Sequence, residues 1–348
     1  MTQNAIPLLQ DLIRIESFSG SEDKTADRIQ AWFKDHSIPF HRQHNNVWAT
    51  NKHFDPKRPT LLLNSHHDTV KPNQAYTRNP FSPDIVEGKL YGLGSNDAGG
   101  ALVSLLSVFT HFYAHPHPQY NMVMAATGEE ETAGENSLRG LLPSLPHIDV
   151  ALVGEPTQME LAIAEKGLIV FDLTLKGTAS HAAHPNEDNP ILKIKSVFES
   201  LERLHFEKVS DLLGPVKVTL TQVNAGSQHN IVPSEVQLVL DVRVNDCYTN
   251  AEIEALIQNA LPCEVKARSL RLGSSSIAES HPLVQAGLAL GKKTYGSPTL
   301  SDQAALSCPS LKMGPGDSPR SHTADEFIYV REIEEGIALY ITLLTKLL

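Results

Sequence analysis

The chain has 348 residues, of which 41% are hydrophobic and 20% charged, and a formal net charge of −11. That composition fits a globular protein with room for two packed domains and excludes the disordered and fibrous classes. An acidic balance with scattered Lys and Arg gives nucleic-acid binding no electrostatic footing.

The opening segment, MTQNAIPLLQDLIRIES, lacks a basic stretch followed by a long apolar one, and no later apolar run reaches membrane-spanning length. A cytoplasmic protein with no membrane partner is expected. Apolar positions at helical spacing then predict a helix over 22–36, and TLLLN at 60–64 reads as a short buried strand. The strand runs into Ser65-His66-His67-Asp68. A His-x-Asp triplet at a strand's C-terminal end lies where open α/β sheets place their ligands, and His66 can bind a metal through one ring nitrogen while Asp68 takes the proton of the other. Taken alone, the triplet is more simply structural.

The segment Gly92-Leu93-Gly94-Ser95-Asn96-Asp97-Ala98-Gly99-Gly100 sets one carboxylate between glycine pairs, ahead of an apolar helix predicted over 98–113. A helix N-cap is the plain reading of Asp97. The glycine spacing is not that of a dinucleotide fingerprint, which disfavours nucleotide binding. His111, His115 and His117 fall in a Pro-containing stretch and read as a solvated loop. A buried strand over 121–126 ends in Thr127-Gly128-Glu129-Glu130-Glu131, three adjacent acids that repel one another unless a cation or solvent compensates. Another over 149–153 ends in Gly154-Glu155-Pro156-Thr157. Strands alternating with helices predict an α/β fold whose mostly parallel sheet is flanked by helices.

From about Gly167 the pattern becomes strand-like alternation over 169–175, 216–223 and 236–242, with helices over 191–204 and 251–260, which predicts a smaller α+β insert at 168–275. Residues 1–167 and 276–348 then form the first domain. A helix over 282–294, a Gly/Pro-rich loop holding Ser321-His322-Thr323-Ala324-Asp325-Glu326, and a helix over 331–347 complete the chain. Cys247, Cys263 and Cys308 lack C-x-x-C spacing, so packing is their expected role. Each acid and histidine has a mundane explanation, but all of them at strand ends and loops make a pattern that chance does not readily produce.

In that order, the motifs resemble the zinc-dependent family that includes acetylornithine deacetylase, succinyl-diaminopimelate desuccinylase, aminoacylase and carboxypeptidase G. The resemblance spans nearly the whole chain. It implies a di-zinc exopeptidase-like domain interrupted by a lid or dimerisation domain, and two zinc ions, for which cobalt can substitute, bridged by Asp97. His66 and Glu155 would hold one ion, Glu131 and His322 the other. Two doubly charged ions, three carboxylates and a bridging hydroxide sum to a neutral site that can be partly buried.

Aligning Glu129 with the family's usual Asp places Thr132-Ala133-Gly134 without a gap, so Glu130 is taken as the general base and Glu131 as the ligand. The pair Glu129 and Glu130 is the alternative. Ala98-Gly99-Gly100 departs from the Met-Lys common in the family, which touches no metal ligand. In Gly177-Thr178-Ala179-Ser180-His181 the resemblance makes His181 an oxyanion donor, usually to the neighbouring subunit's site. It makes Asn230 and Arg243 substrate-binding residues, with a salt bridge to a strand neighbour as the plain alternative for Arg243. The implied activity is removal of the N-acyl group from a small N-acyl amino acid, N-acetylornithine or a relative such as N-acetylcitrulline or an N-succinyl analogue, by a homodimer. A dipeptidase or carboxypeptidase on the same scaffold is the rival, and a non-catalytic metal-binding protein is the alternative of another class.

Overall fold

The computed structural model describes residues 2–116 and 119–348. The chain divides into two compact units, Met1–Ile163 with Ser276–Tyr295 and Ser301–Leu348, and Ala164–Ser275 with Gly296–Leu300. The first division therefore falls at 163 rather than at the expected 167, and Gly296–Leu300 goes with the second unit.

The first unit is α/β. Its central strands lie in the order His41–Gln43, Asn46–Thr50, Asn121–Thr127, Thr60–His66, Val150–Val153 and Ser310–Lys312. Thr60–His66 pairs in parallel with both of its neighbours, and Ser310–Lys312 pairs in parallel with Val150–Val153. All residues of Thr60–His66, Asn121–Thr127 and Val150–Val153 are buried, as the continuous apolar runs of a covered parallel sheet require. Register does the rest. His66 lies opposite Thr127 and Asn64 opposite Val153, so these strands end side by side and deliver His66, Glu129-Glu130-Glu131 and Glu155 to one edge.

Helix Gly100–Phe112 packs between that sheet and helices Thr2–Ile13 and Val330–Leu347, with Leu102, Leu105, Leu106 and Phe109 fully buried. It is apolar all round because it is an interior helix. It begins later than the sequence suggests, since Ser95–Gly99 forms a tight turn in which Asp97 and Ala98 are not helical. His111 belongs to its last turn and not to a loop, whereas His117 lies outside the described residues. The helix expected over 282–294 spans only Pro282–Leu288; left-handed Gly291 turns the chain, and Thr294–Ser297 is a strand.

A small antiparallel sheet of Ile85–Val86, Lys89–Tyr91 and Phe327–Tyr329 was not legible in the sequence, because its strands are too short to show a period. It brings the loop of His322 beside the turn of Asp97. The second unit is an antiparallel sheet in the order Lys217–Ala225, Glu235–Val244, Gly167–Lys176 and Glu264–Ala267. Gly167–Lys176 alternates between buried and less buried side chains, and Ile169, Phe171, Leu173 and Leu175 form its core face. Helices Pro190–Arg203 and Asn250–Ala260 accompany the sheet. The three cysteines are free thiols, and Cys263 and Cys308 pack against hydrophobic clusters. Among the described residues no helix is long and apolar enough to cross a membrane.

Candidate metal centre

The strand ends gather nitrogen and carboxylate oxygen donors. His66, 1% exposed, sets its Nε2 3.3 Å from Oδ1 of Asp97 and 3.8 Å from Oε1 of Glu155. On the other side of Asp97, Nε2 of His322 lies 3.5 Å from Asp97 Oδ2 and 3.1 Å from Glu131. Single ligand atoms of His66, Asp97 and Glu131 all fall within 4.8 Å of one another. Asp97 thus stands between a His66–Glu155 pair and a His322–Glu131 pair. Two imidazoles and three carboxylates in this arrangement suit divalent ions such as zinc.

The electrostatics show how strongly the donors act on one another. Burial opposes charge on His66, yet Asp68 and Asp97 carry its pKa well above the usual histidine value. The hydrogen bond to Glu131 is the main cause that lifts His322 to about 9. Burial and neighbouring acids push Glu155 up to about 8 and raise Glu130 well above the carboxylate range, with His66 pulling both the other way. A buried set of acids is costly unless a cation balances it, and the donors fit that need.

Asp68 is the hub behind this shell. Its Oδ1 accepts from the amide of Glu130 (3.1 Å), and its Oδ2 accepts from the amide of Glu131 (3.2 Å) and the hydroxyl of Ser19 (2.6 Å). Nδ1 of His66 lies closer to the main-chain oxygen of Asp68 (3.0 Å) than to its carboxylate (3.5 Å). Carbonyl and carboxylate of Asp68 thus both face this ring nitrogen, and the carboxylate also positions the two glutamates. The adjacent His67 turns away, bonding Thr25 Oγ1 and the Asn45 carbonyl, and burial lowers its pKa to about 4.

The three glutamates separate cleanly. Glu129 adopts left-handed φ, and its carboxylate accepts from the amide and side chain of Asn136 at 3.0 and 2.8 Å. Glu131 faces His322, and the Glu130 carboxyl lies within the field of His66, Glu155, Asp302 and Glu131. In the second unit, His181 pairs with Ile231 in a two-stranded ribbon, and Asn230 accepts from the amide of Ala182, so His181 and Asn230 are neighbours. Arg243 holds Asp241 through Nε and Nη2 at 2.8 and 3.0 Å, the strand-neighbour ion pair.

Four contributors escaped the sequence reading. Ser19 reaches Asp68, and fully buried Glu22 accepts from the amides of Gly20 and Glu129. Buried Asp302 accepts from Thr127 Oγ1 at 2.7 Å, and Glu326 accepts from the turn that carries Asp97. Only Glu326 had a sequence signal, its place in the His322 motif.

A family profile described as Peptidase family M20/M25/M40 matches residues 62–346. The chain is 27% identical to a succinyl-diaminopimelate desuccinylase of Rhodospirillum centenum, over 99% of this chain and 98% of that one. Aminopeptidase PepT from Bacillus cereus superposes with a TM-score of 0.78 at 16% identity, covering 99% of this chain and 98% of that one. The YXEP protein of Bacillus subtilis, described as a dinuclear metal-binding peptidase of family M20, superposes at 0.72 with 16% identity, over 98% and 97% of the two chains.

Proposed function

The chain belongs to peptidase family M20/M25/M40, hydrolases of amide bonds, and on that basis we propose that it removes the N-acyl group from a small N-acyl amino acid, N-acetylornithine or a close analogue with an acetyl or succinyl group. The observation that carries the reading is the convergence of His66, Asp97, Glu131, Glu155 and His322, with Glu130 in the field of His66, Glu155 and Glu131. The named desuccinylase, similar over almost its full length, supports an N-acyl amino acid as the substrate class.

His66 and Glu155 would hold one zinc ion and Glu131 and His322 a second, with Asp97 shared, and cobalt could replace either. Such a pair of ions supplies Lewis acidity at the scissile carbonyl and a water of lowered pKa. Glu130 takes the proton of the attacking water and delivers it to the leaving amine nitrogen, a role suited to a carboxyl whose proton affinity is raised. Asp68 keeps Glu130 and Glu131 at their stations through their amides. His181 is assigned to the oxyanion and Asn230 and Arg243 to the substrate by resemblance, and Arg243 would have to share its fork with Asp241 or release it.

We assign a homodimer built through the second unit. Its outer strand Lys217–Ala225 is largely exposed, and helix Pro190–Arg203 shows Ile191 at 40% and Phe198 at 41% exposure, two turns apart on one side, an edge and an apolar face suited to a second copy. A cytoplasmic location remains the expectation. The test of substrate class is a hydrolysis screen of N-acetyl, N-succinyl and N-formyl amino acids beside dipeptides, with zinc or cobalt added. Preferential cleavage of dipeptides would transfer the assignment to a peptidase on this scaffold.

A further inference from the structure

Two acids of the His322 motif, Asp325 and Glu326, have no part in the chemistry above, yet they make some of the densest polar contacts near the site. Glu326 is 2% exposed. Its Oε1 accepts from the amides of Asn96 (2.8 Å) and Asp97 (3.0 Å), and its Oε2 from the amide of Gly94 (3.0 Å). Its main-chain oxygen also accepts from the amide of Gly92 at 3.0 Å. Asp325 turns the other way and takes the amides of Thr77 and Arg78, each at 2.9 Å, on Oδ1.

These bonds answer a local difficulty. The turn that presents Asp97 starts from Gly94 at φ +73°, where a Cβ would meet Thr69 Cγ2 at 2.6 Å, and it leaves helical geometry at Asp97 itself. Such a turn leaves main-chain donors without helical partners, and buried donors demand an acceptor. One carboxylate satisfies three of them. It comes from the loop that carries His322, whose side chain is 53% exposed and meets Glu131 and Asp97 through Nε2, so the placement of that loop decides where the nitrogen stands. Accepting these amides closes the turn, and it also sets a second carboxylate against Asp97, a repulsion that a bound cation would relieve.

We propose that Glu326 is a positioning residue that fixes Asp97 and His322 relative to each other, gripping the Asp97 turn by three amides while Asp325 anchors the same loop to Thr77 and Arg78. The consequence for metal binding rests on the reading above, whereas the grip itself consists of bonds between the chain's own groups. Losing it should loosen both donors together, and outer partners of this kind change metal affinity by about 10- to 100-fold.

The test pairs amide hydrogen exchange in metal-free protein with zinc titration, for the unaltered chain and for Glu326→Gln. The glutamine keeps one acceptor oxygen but turns an amide group toward a donor N–H. Slow exchange at Gly94, Asn96 and Asp97 is expected in the unaltered chain, with exchange faster by about tenfold or more and zinc affinity down by about tenfold or more in Glu326→Gln. The absorption spectrum of the cobalt-loaded variant should also shift, because ligand geometry changes. A variant that melts earlier but keeps wild-type zinc affinity and cobalt spectrum would reduce Glu326 to a structural role and overturn the proposal. So would rapid exchange at these amides in the unaltered chain, a result independent of whether any variant folds. Failure of the unaltered chain to bind zinc would instead overturn the metal reading, with the exchange rates still deciding the grip.

Discussion

Glu129, Glu130 and Glu131 are chemically identical, and their environments alone separate them. With Glu129 committed to Asn136 and Glu131 facing His322, a base and a ligand should fail differently when neutralised. Glu130→Gln is expected to bind metal normally and lose about 100-fold or more in kcat, while Glu131→Gln loses metal. Kinetics with metal analysis of both variants checks this, and an active Glu130→Gln beside a dead Glu129→Gln would move the base by one residue. Asp302 allows a separate prediction. Burial holds its pKa at about 6, above the ordinary carboxylate value near 4, so the folded chain binds this proton more tightly than the unfolded one. Its contribution to stability is complete below about pH 4 and is lost as pH rises through about 6. Asp302→Asn should therefore flatten that part of the stability profile between pH 4 and 7, and thermal melts with an unchanged slope would contradict it. Residues such as Asp302, Glu22 and Ser19 were invisible in the sequence because their partners are remote in the chain and no spacing announces them.

At the scale of elements, the legible parts were those in which burial imposes a pattern. LLL before His66, VMAA before Thr127 and VALV before Gly154 are continuous apolar runs ended by polar groups, and each marks both a strand and a donor. The turn at Ser95–Gly99 and the short ribbons lack any period, so the joining of the His322 loop to the Asp97 turn had to come from structure. Close approach of elements also fixes Glu155. A Cβ on Gly314 would meet the Glu155 carbonyl oxygen at 2.5 Å and Ala101 Cβ at 3.0 Å. Gly314→Ala should cost roughly 1–3 kcal/mol by overpacking and weaken metal binding through Glu155. Chemical denaturation and zinc titration matching the unaltered chain would show that the contact yields freely. For the His181 ribbon, His181→Ala is expected to lower kcat by roughly 100-fold with zinc retained. Unchanged turnover would leave His181 as an ordinary exposed histidine.

For the whole molecule, all five proposed metal donors and the base sit in the first unit, while His181, Asn230 and Arg243 sit in the second. If the second unit serves its partner's site, inactive His181→Ala and inactive Glu130→Gln should regain part of their activity once mixed into heterodimers, since one composite site is then intact. The proposed function requires that this centre perform metal-dependent amide hydrolysis on an N-acyl amino acid. The most direct test is amine release from N-acetylornithine and N-succinyl analogues as zinc is titrated into metal-free protein. No release without metal, rising to a plateau near about two ions per chain, is predicted. Hydrolysis that survives metal removal, or protein that carries two ions and cleaves no N-acyl amino acid, would contradict it.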